Sequence, residues 1–294
     1  MTDSMDTSAT TDHPFSPGTR KAVVLAGGMG TRMRLESDQA PLDPAARAAA
    51  SAGLKGMIPL RGRPFLDYVL QGLWDAGFRE LCLIVPPVRS PLHDYYERMG
   101  QQLRGGTLQL AVQAQPRGTA DAVLAGESFV GNDNFIVLNS DNLYPPSALA
   151  DLRLSPAPGA VAFDSVGLTR GNIPAQRVAA FAVMDIDDSR HLRRIVEKPA
   201  DPRIYASGGH VWVSMNCWHF TPAIFHACRS IQPDPVRNEL EIPTAVQFAI
   251  ERMGLSFAVT PCDQPVLDLT RPADIASVAE LLADVNISLP EVKP

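Results

Sequence analysis

The chain has no long apolar run. Of its 294 residues 45% are hydrophobic, yet no stretch approaches the roughly 20 residues that a membrane-spanning helix needs. It also has no basic run. Lys and Arg number 26 against 32 Asp and Glu, for a net charge of −6 and a pI near 5.5. That balance argues against nucleic acid or an anionic membrane as partner. Cysteine is scarce: Cys82, Cys217, Cys228 and Cys262 form no C-x-x-C pair, so neither a zinc site nor a redox motif is indicated. Reduced thiols in a cytoplasmic protein are the expectation. The six histidines lack metal-ligand spacing, and no repeat period is visible. The first 19 residues are rich in Thr, Ser and Asp without an apolar core. They read as a disordered tail and not as a signal peptide.

Against these absences stands the stretch 22–34, A-V-V-L-A-G-G-M-G-T-R-M-R. Ala22 to Ala26 is an uncharged apolar run, as expected of a strand buried on both faces of a parallel sheet. It empties into Gly27, Gly28 and Gly30, then Thr31 and Arg32. Closely spaced glycines let the backbone turn sharply and aim several N–H groups at one anion, and Arg32 adds a planar cation. The alternative is an ordinary glycine-rich strand-to-helix turn. Two familiar phosphate loops are excluded. Met33 stands where the dinucleotide fingerprint needs its third glycine, and no Gly-Lys-Ser/Thr follows.

Further along, residues 35–54 predict a loop or lid containing a short alanine-rich helix. Phe65, Leu66, Val69, Leu70, Leu73 and Trp74 repeat at helical spacing up to Gly77. Leu81–Val85, Leu108–Val112 and Phe135–Leu138 predict strands, with helices at 95–103 and 119–125 between them. This alternation argues for a doubly wound sheet. After residue 155 strands predominate, and helices return at 222–229, 242–252 and from Pro272 onward. The length suits one large α/β domain, 20–285, with halves at 20–155 and 156–285 and a C-terminal tail at 286–294.

Asp141 and Asp268 each close a predicted strand. A carboxylate there can hold a divalent cation against phosphate oxygens, or can simply be turn chemistry. Together with Arg32, Lys55 and Lys198 on one rim, the set suits phosphoryl or nucleotidyl transfer, which relies on positioning and electrostatics.

These segments resemble the sugar nucleotidyltransferases. Residues 25–33 match the family's L-A-G-G-x-G-T-R-[LM] signature, and Ile195-Val196-Glu197-Lys198-Pro199 matches V-x-E-K-P. Lys55–Leu60, Gly118–Val123, Asn139–Asn142 and Asp268–Ile275 resemble further family segments, in the family's order. The resemblance implies a three-layer α/β/α sandwich with a mixed, mainly parallel sheet. It implies an enzyme that joins an NTP and a sugar 1-phosphate into a nucleotide-sugar, with 156–285 as the sugar-binding half. Leu25, Ala26, Gly27, Gly28, Gly30, Thr31, Gln113, Gly118 and Thr119 would bind the nucleotide, with Gln113 in the position that reads the base. Arg32 and Lys55 would act on its phosphates, Glu197, Lys198 and Asn216 would hold the sugar phosphate, and Asp141 and Asp268 would bind Mg²⁺. Either a monomer or a homodimer is compatible.

Three departures from the family pattern stand out. The interval from Arg32 to Lys55 is long, Asn216 replaces a glycine, and Thr270-Arg271-Pro272 replaces G-T-P. Other readings are a nucleotidyltransferase for a non-sugar phosphate, which generally lacks the Glu-Lys-Pro segment, and a non-catalytic homologue, which would have lost the charged residues.

Overall fold

The computed structural model describes residues 18–28, 30–37, 40–156, 158–197, 199–235 and 237–292. The expected N-terminal tail, up to residue 17, and Lys198 lie outside them.

A nine-stranded sheet organises the chain. Its strands are β1 (Lys21–Leu25), β2 (Glu80–Val85), β3 (Thr107–Val112), β4 (Phe135–Asn139), β5 (Gly159–Asp164), β6 (Val183–Ile186), β7 (Leu192–Val196), β8 (Trp212–Phe220) and β9 (Ala258–Cys262). β3, β2, β1 and β4 lie side by side and run parallel. β8 then pairs antiparallel with β4 on one edge and with β5 on the other, and β9 runs parallel to β5. The β6–β7 hairpin joins the edge of β8 that β4 uses, near its other end, through Val213 and Val183. The sheet is therefore mixed, with its parallel half in the first 140 residues.

Alternation along the parallel strands fills two cores. Ala22, Val24, Leu83, Val85, Ile136 and Leu138 pack on one face with helices Phe65–Asp75, Pro91–Gln102 and Pro146–Leu154. Val23, Leu25, Cys82, Ile84, Phe135 and Val137 pack on the other with helices Thr119–Ala125, Ile224–Ser230 and Ile242–Met253. Helices on both faces of the sheet make the expected three layers.

Strand order decides where a ligand can sit. From β1 the chain steps outward to β2 and β3, then returns to β4 on the opposite side of β1. The order therefore reverses between β1 and β4, and in open α/β sheets the crevice at such a point is the usual ligand site. The loops after β1, β3 and β4 all leave from this end of the sheet.

Several predicted boundaries shift. The interval 35–54 is mostly helical: Thr31–Glu36 leads into it, and Pro44–Ser51 is capped by Asp43, whose carboxylate accepts from Ala45 N and Ala46 N at 2.9 Å. The helix predicted from 95 begins at Pro91, because Ser90 and His93 form a reciprocal cap. Helix Pro146–Leu154 is not announced by the sequence pattern, since it follows Pro145-Pro146 directly. It is fixed by burying Ala148, Leu149 and Leu152. Residues 288–292 lie against the domain: Gln71 Oε1 accepts from Ser288 N and Leu289 N, and Arg63 Nη2 donates to Pro290 O.

Candidate active site

At the switch point lies a cavity of about 210 Å³. Leu25, Ala26, Gly28 and Gly30 line it from the first strand, and Lys55, Thr119, Asp141 and Asn216 face it from the other elements. Gly30 has φ +55°, and a Cβ there would come within 2.5 Å of Gly53 O. The turn therefore needs glycine for conformation and for close approach. Gly30 also precedes helix Thr31–Glu36, which has no side-chain cap and no acidic residue in its first turn. Its N–H groups remain available to an anion.

Opposite the loop, Lys55 Nζ donates to Asp141 Oδ2 at 2.7 Å. Asp141 sits in the turn after β4, where Ser140 N donates to Leu25 O and Leu269 N donates to Asp141 O at 2.9 Å. A two-residue ladder pairs Asp268 with Asn142, so Asp268 lies beside Asp141. Asp268 is 6% exposed. Burial, then the Asp141 charge, pushes its carboxyl up to about 6. Its Oδ1 is buried without a hydrogen-bond partner, 3.6 Å from the Arg177 guanidinium. Asn172 holds the Asp268 main chain at both its N–H and its carbonyl. Asp274 reaches back to Thr270 N and Arg271 N at 3.0 and 2.8 Å, which maintains the turn despite the Thr-Arg-Pro departure.

Asn216 explains another departure. It has φ +54° in the middle of β8, where the β5 register shifts. Asparagine tolerates the left-handed conformation better than other side-chain-bearing residues, so it keeps the bend that a glycine would make. Tyr144 Oη donates to Met215 O at 2.6 Å and ties this bend to the turn after β4.

Not every predicted residue lines the cavity. Gly27, Thr31, Arg32, Gln113, Gly118, Glu197 and Asp268 do not. Arg32 and Glu197 are exposed. Gln113 is buried next to Gly27, and Gly118 is held by the Leu240 main chain. Lys198 lies outside the described residues. Sequence reasoning gave no site role to Gly53, Leu54, Gly56, Leu92, Asn139 and Ser140 in the lining, or to Arg177 and Asn172 around Asp268. The helix and strand patterns signal none of these; only Gly53 carried a hint, as a glycine closing the alanine-rich helix. Among the described residues no group of three or more His, Cys, Asp or Glu could hold a metal, so any ion would rest on two carboxylates and its ligand.

A glycine turn at the switch point of an α/β sheet, faced by Lys55 and Asp141 with Asp268 behind them, is the arrangement of an α/β protein with a phosphate-type ligand site. The nucleotidyl transferase profile matches residues 21–264, and the chain belongs to that family. Similar proteins include a UTP–glucose-1-phosphate uridylyltransferase of Haloferax volcanii, 28% identical, covering 86% of this chain and 93% of the relative. A glucose-1-phosphate thymidylyltransferase of Streptomyces griseus is 31% identical over 79% of this chain, which spans 57% of that longer protein. Among solved structures, a UDP-glucose pyrophosphorylase complexed with UDP-glucose has a TM-score of 0.67 at 18% identity, covering 91% of this chain and 100% of that one. An inositol-1-phosphate CTP transferase from T. maritima has a TM-score of 0.69 at 18% identity, covering 93% and 99%. At such identity these two likenesses bear on the fold alone.

Proposed function

We propose that the chain transfers a nucleoside monophosphate from an NTP to a sugar 1-phosphate, giving a nucleotide-sugar and pyrophosphate. The observation that carries this is the Lys55–Asp141 pair facing Gly28 and Gly30 across one cavity. Relatives named for uridylyl and thymidylyl transfer to glucose 1-phosphate support it.

The backbone of Gly27, Gly28 and Gly30, continued by Thr31, cradles the triphosphate, and Arg32 and Lys55 neutralise its charge. Leu25, Ala26, Gly118 and Thr119 flank the nucleoside, with Gln113 at the base. Glu197, Lys198 and Asn216 hold the acceptor. An oxygen of the sugar phosphate attacks the α-phosphorus in line, one new P–O bond forms, the α–β bridge bond breaks, and its electron pair leaves with pyrophosphate. No general base is required, since a phosphate monoester is largely ionised near neutral pH.

The buried Asp268 Oδ1, which accepts no hydrogen bond and has only the Arg177 guanidinium at 3.6 Å, lies beside Asp141, and the carboxylate pair fits a hard divalent cation. Asp141 and Asp268 would hold Mg²⁺, which when bound stabilises charge on the phosphates. NTP use is in keeping with a cytoplasmic enzyme, and no helix among the described residues is long and apolar enough to cross a membrane.

The test is pyrophosphate release over a grid of NTPs against sugar 1-phosphates and non-sugar phosphates. Release that needs one of each supports the reading. Release with a non-sugar phosphate alone overturns the acceptor, and silence across the grid without NTP binding overturns the whole.

A further inference from the structure

Gln113 is 6% exposed, and its side-chain amide is held in one orientation. Nε2 lies 3.0 Å from Gly118 O and 2.9 Å from Asp121 Oδ2. A peptide carbonyl and a carboxylate can only accept, so both amide hydrogens are used. Turning the amide over would set its oxygen against two other oxygens.

Asp121 is itself fixed. Its other oxygen, Oδ1, accepts from Arg117 Nε and Nη2 at 3.1 and 2.6 Å. The main chain closes the far side: Leu240 N donates to Arg117 O, and Ala120 N donates to Leu240 O. Only Oε1 of Gln113 remains. No described residue donates to it, and it stands beside Gly27, where an added Cβ would approach it to 3.0 Å. Oε1 thus lies against the glycine loop as one fixed hydrogen-bond acceptor, behind the residues that line the cavity.

We infer that Asp121 is a positioning residue for base selection. By locking the Gln113 amide it offers the base an acceptor only, which among the pyrimidines favours a ring N–H beside a carbonyl, as in uracil and thymine. Cytosine in the same pose would bring its N3 lone pair against Oε1, and its amino group could reach Oε1 only by shifting the ring. The inference rests on the glycine loop being the NTP site, and it adds which residue sets the base preference.

The test is calorimetric binding of UTP, dTTP and CTP to the full chain with Mg²⁺ and without acceptor. It compares wild type, Asp121→Ala, Asp121→Asn, Gln113→Ala and the double alanine variant. Wild type should prefer UTP or dTTP over CTP by about tenfold or more. Asp121→Ala should bring that ratio to within about threefold, chiefly by weakening UTP and dTTP. Asp121→Asn, whose carbonyl can still accept from Gln113, should retain the preference. Adding Asp121→Ala to Gln113→Ala should cost nothing further, because both act through one contact. In turnover, Asp121→Ala should raise KM for UTP or dTTP while kcat and the acceptor KM hold. Equal losses for all three nucleotides, additive losses in the double variant, or a wild-type preference for CTP would overturn the role of Asp121. A wild-type chain that binds none of the three refutes the proposed function instead.

Discussion

Lys55→Met removes the ammonium facing Asp141 and keeps the length of the stem. Nζ lies 2.7 Å from Asp141 Oδ2, and the two side chains are 19% and 27% exposed. At that distance opposite charges attract by about 1–2 kcal/mol even in bulk water. Partial burial strengthens the attraction, while ordering of the lysine weakens it, so a net value of about 1–2 kcal/mol is reasonable. The substitution should have two opposite effects. Without nucleotide, the freed carboxylate should bind a divalent cation about 5- to 30-fold more tightly. Turnover should fall by about 10²- to 10³-fold, as for loss of a preorganised electrostatic contact. Calorimetric titration with Mn²⁺ reads the first, and steady-state pyrophosphate release reads the second. Metal affinity that is unchanged or weaker, with turnover within threefold of wild type, would refute this account of Lys55.

Asp268 predicts a pH dependence. Burial and the Asp141 charge raise its carboxyl from 3.8 to about 6 in the folded chain, so the native state keeps a proton that the unfolded state has lost. Its contribution to stability is full below about pH 4 and declines as pH rises through about 6, by about 1–3 kcal/mol in total. In metal-free buffer, the wild-type minus Asp268→Asn difference in unfolding free energy should fall across that window, and a flat difference would contradict it. Asn216→Val should destabilise by about 1–2 kcal/mol, because a β-branched residue at φ +54° is strained, whereas Asn216→Gly should hold within about 1 kcal/mol. Thermal unfolding separates them, and equal melting temperatures would refute the left-handed bend. Gly118→Ala places a Cβ on the Leu240 backbone at φ +112°, so it should cost about 2 kcal/mol or more and weaken NTP binding. Unchanged denaturant midpoint and affinity would count against that close approach.

The parallel half of the fold was legible because its signals are local. An uncharged run ending in three glycines gave β1 and its turn, and the stripe from Phe65 to Trp74 gave the helix that covers it. Asp141 was legible as a carboxylate closing a predicted strand and Lys55 as a cation on the same rim, although nothing in the pattern says that they meet at 2.7 Å. The hidden parts are non-local. Asn172 and Arg177 reach Asp268 from more than 90 residues away, and they belong to a stretch without periodicity. Asn216 looked like a broken glycine position, but its left-handed backbone preserves what the glycine would do. Arg32, expected to act on phosphates, is exposed on the helix that follows Gly30 and is not part of the cavity lining. Sequence gives that helix but not the direction in which its residues face. The family resemblance assigned Gln113 to the base, but nothing local in the sequence shows its hydrogen bond to Asp121, which depends on a turn closed by Leu240.

The most direct measurement follows the α-phosphorus. The full chain is incubated with Mg²⁺, α-³²P-labelled UTP or dTTP and glucose 1-phosphate, and the products are separated after phosphatase treatment. Label in a phosphatase-resistant nucleotide-sugar, formed one for one with pyrophosphate and only when the sugar phosphate is present, is the predicted result. Label that remains in nucleotide, or that is released as the free monophosphate whether or not an acceptor is added, would contradict the central claim.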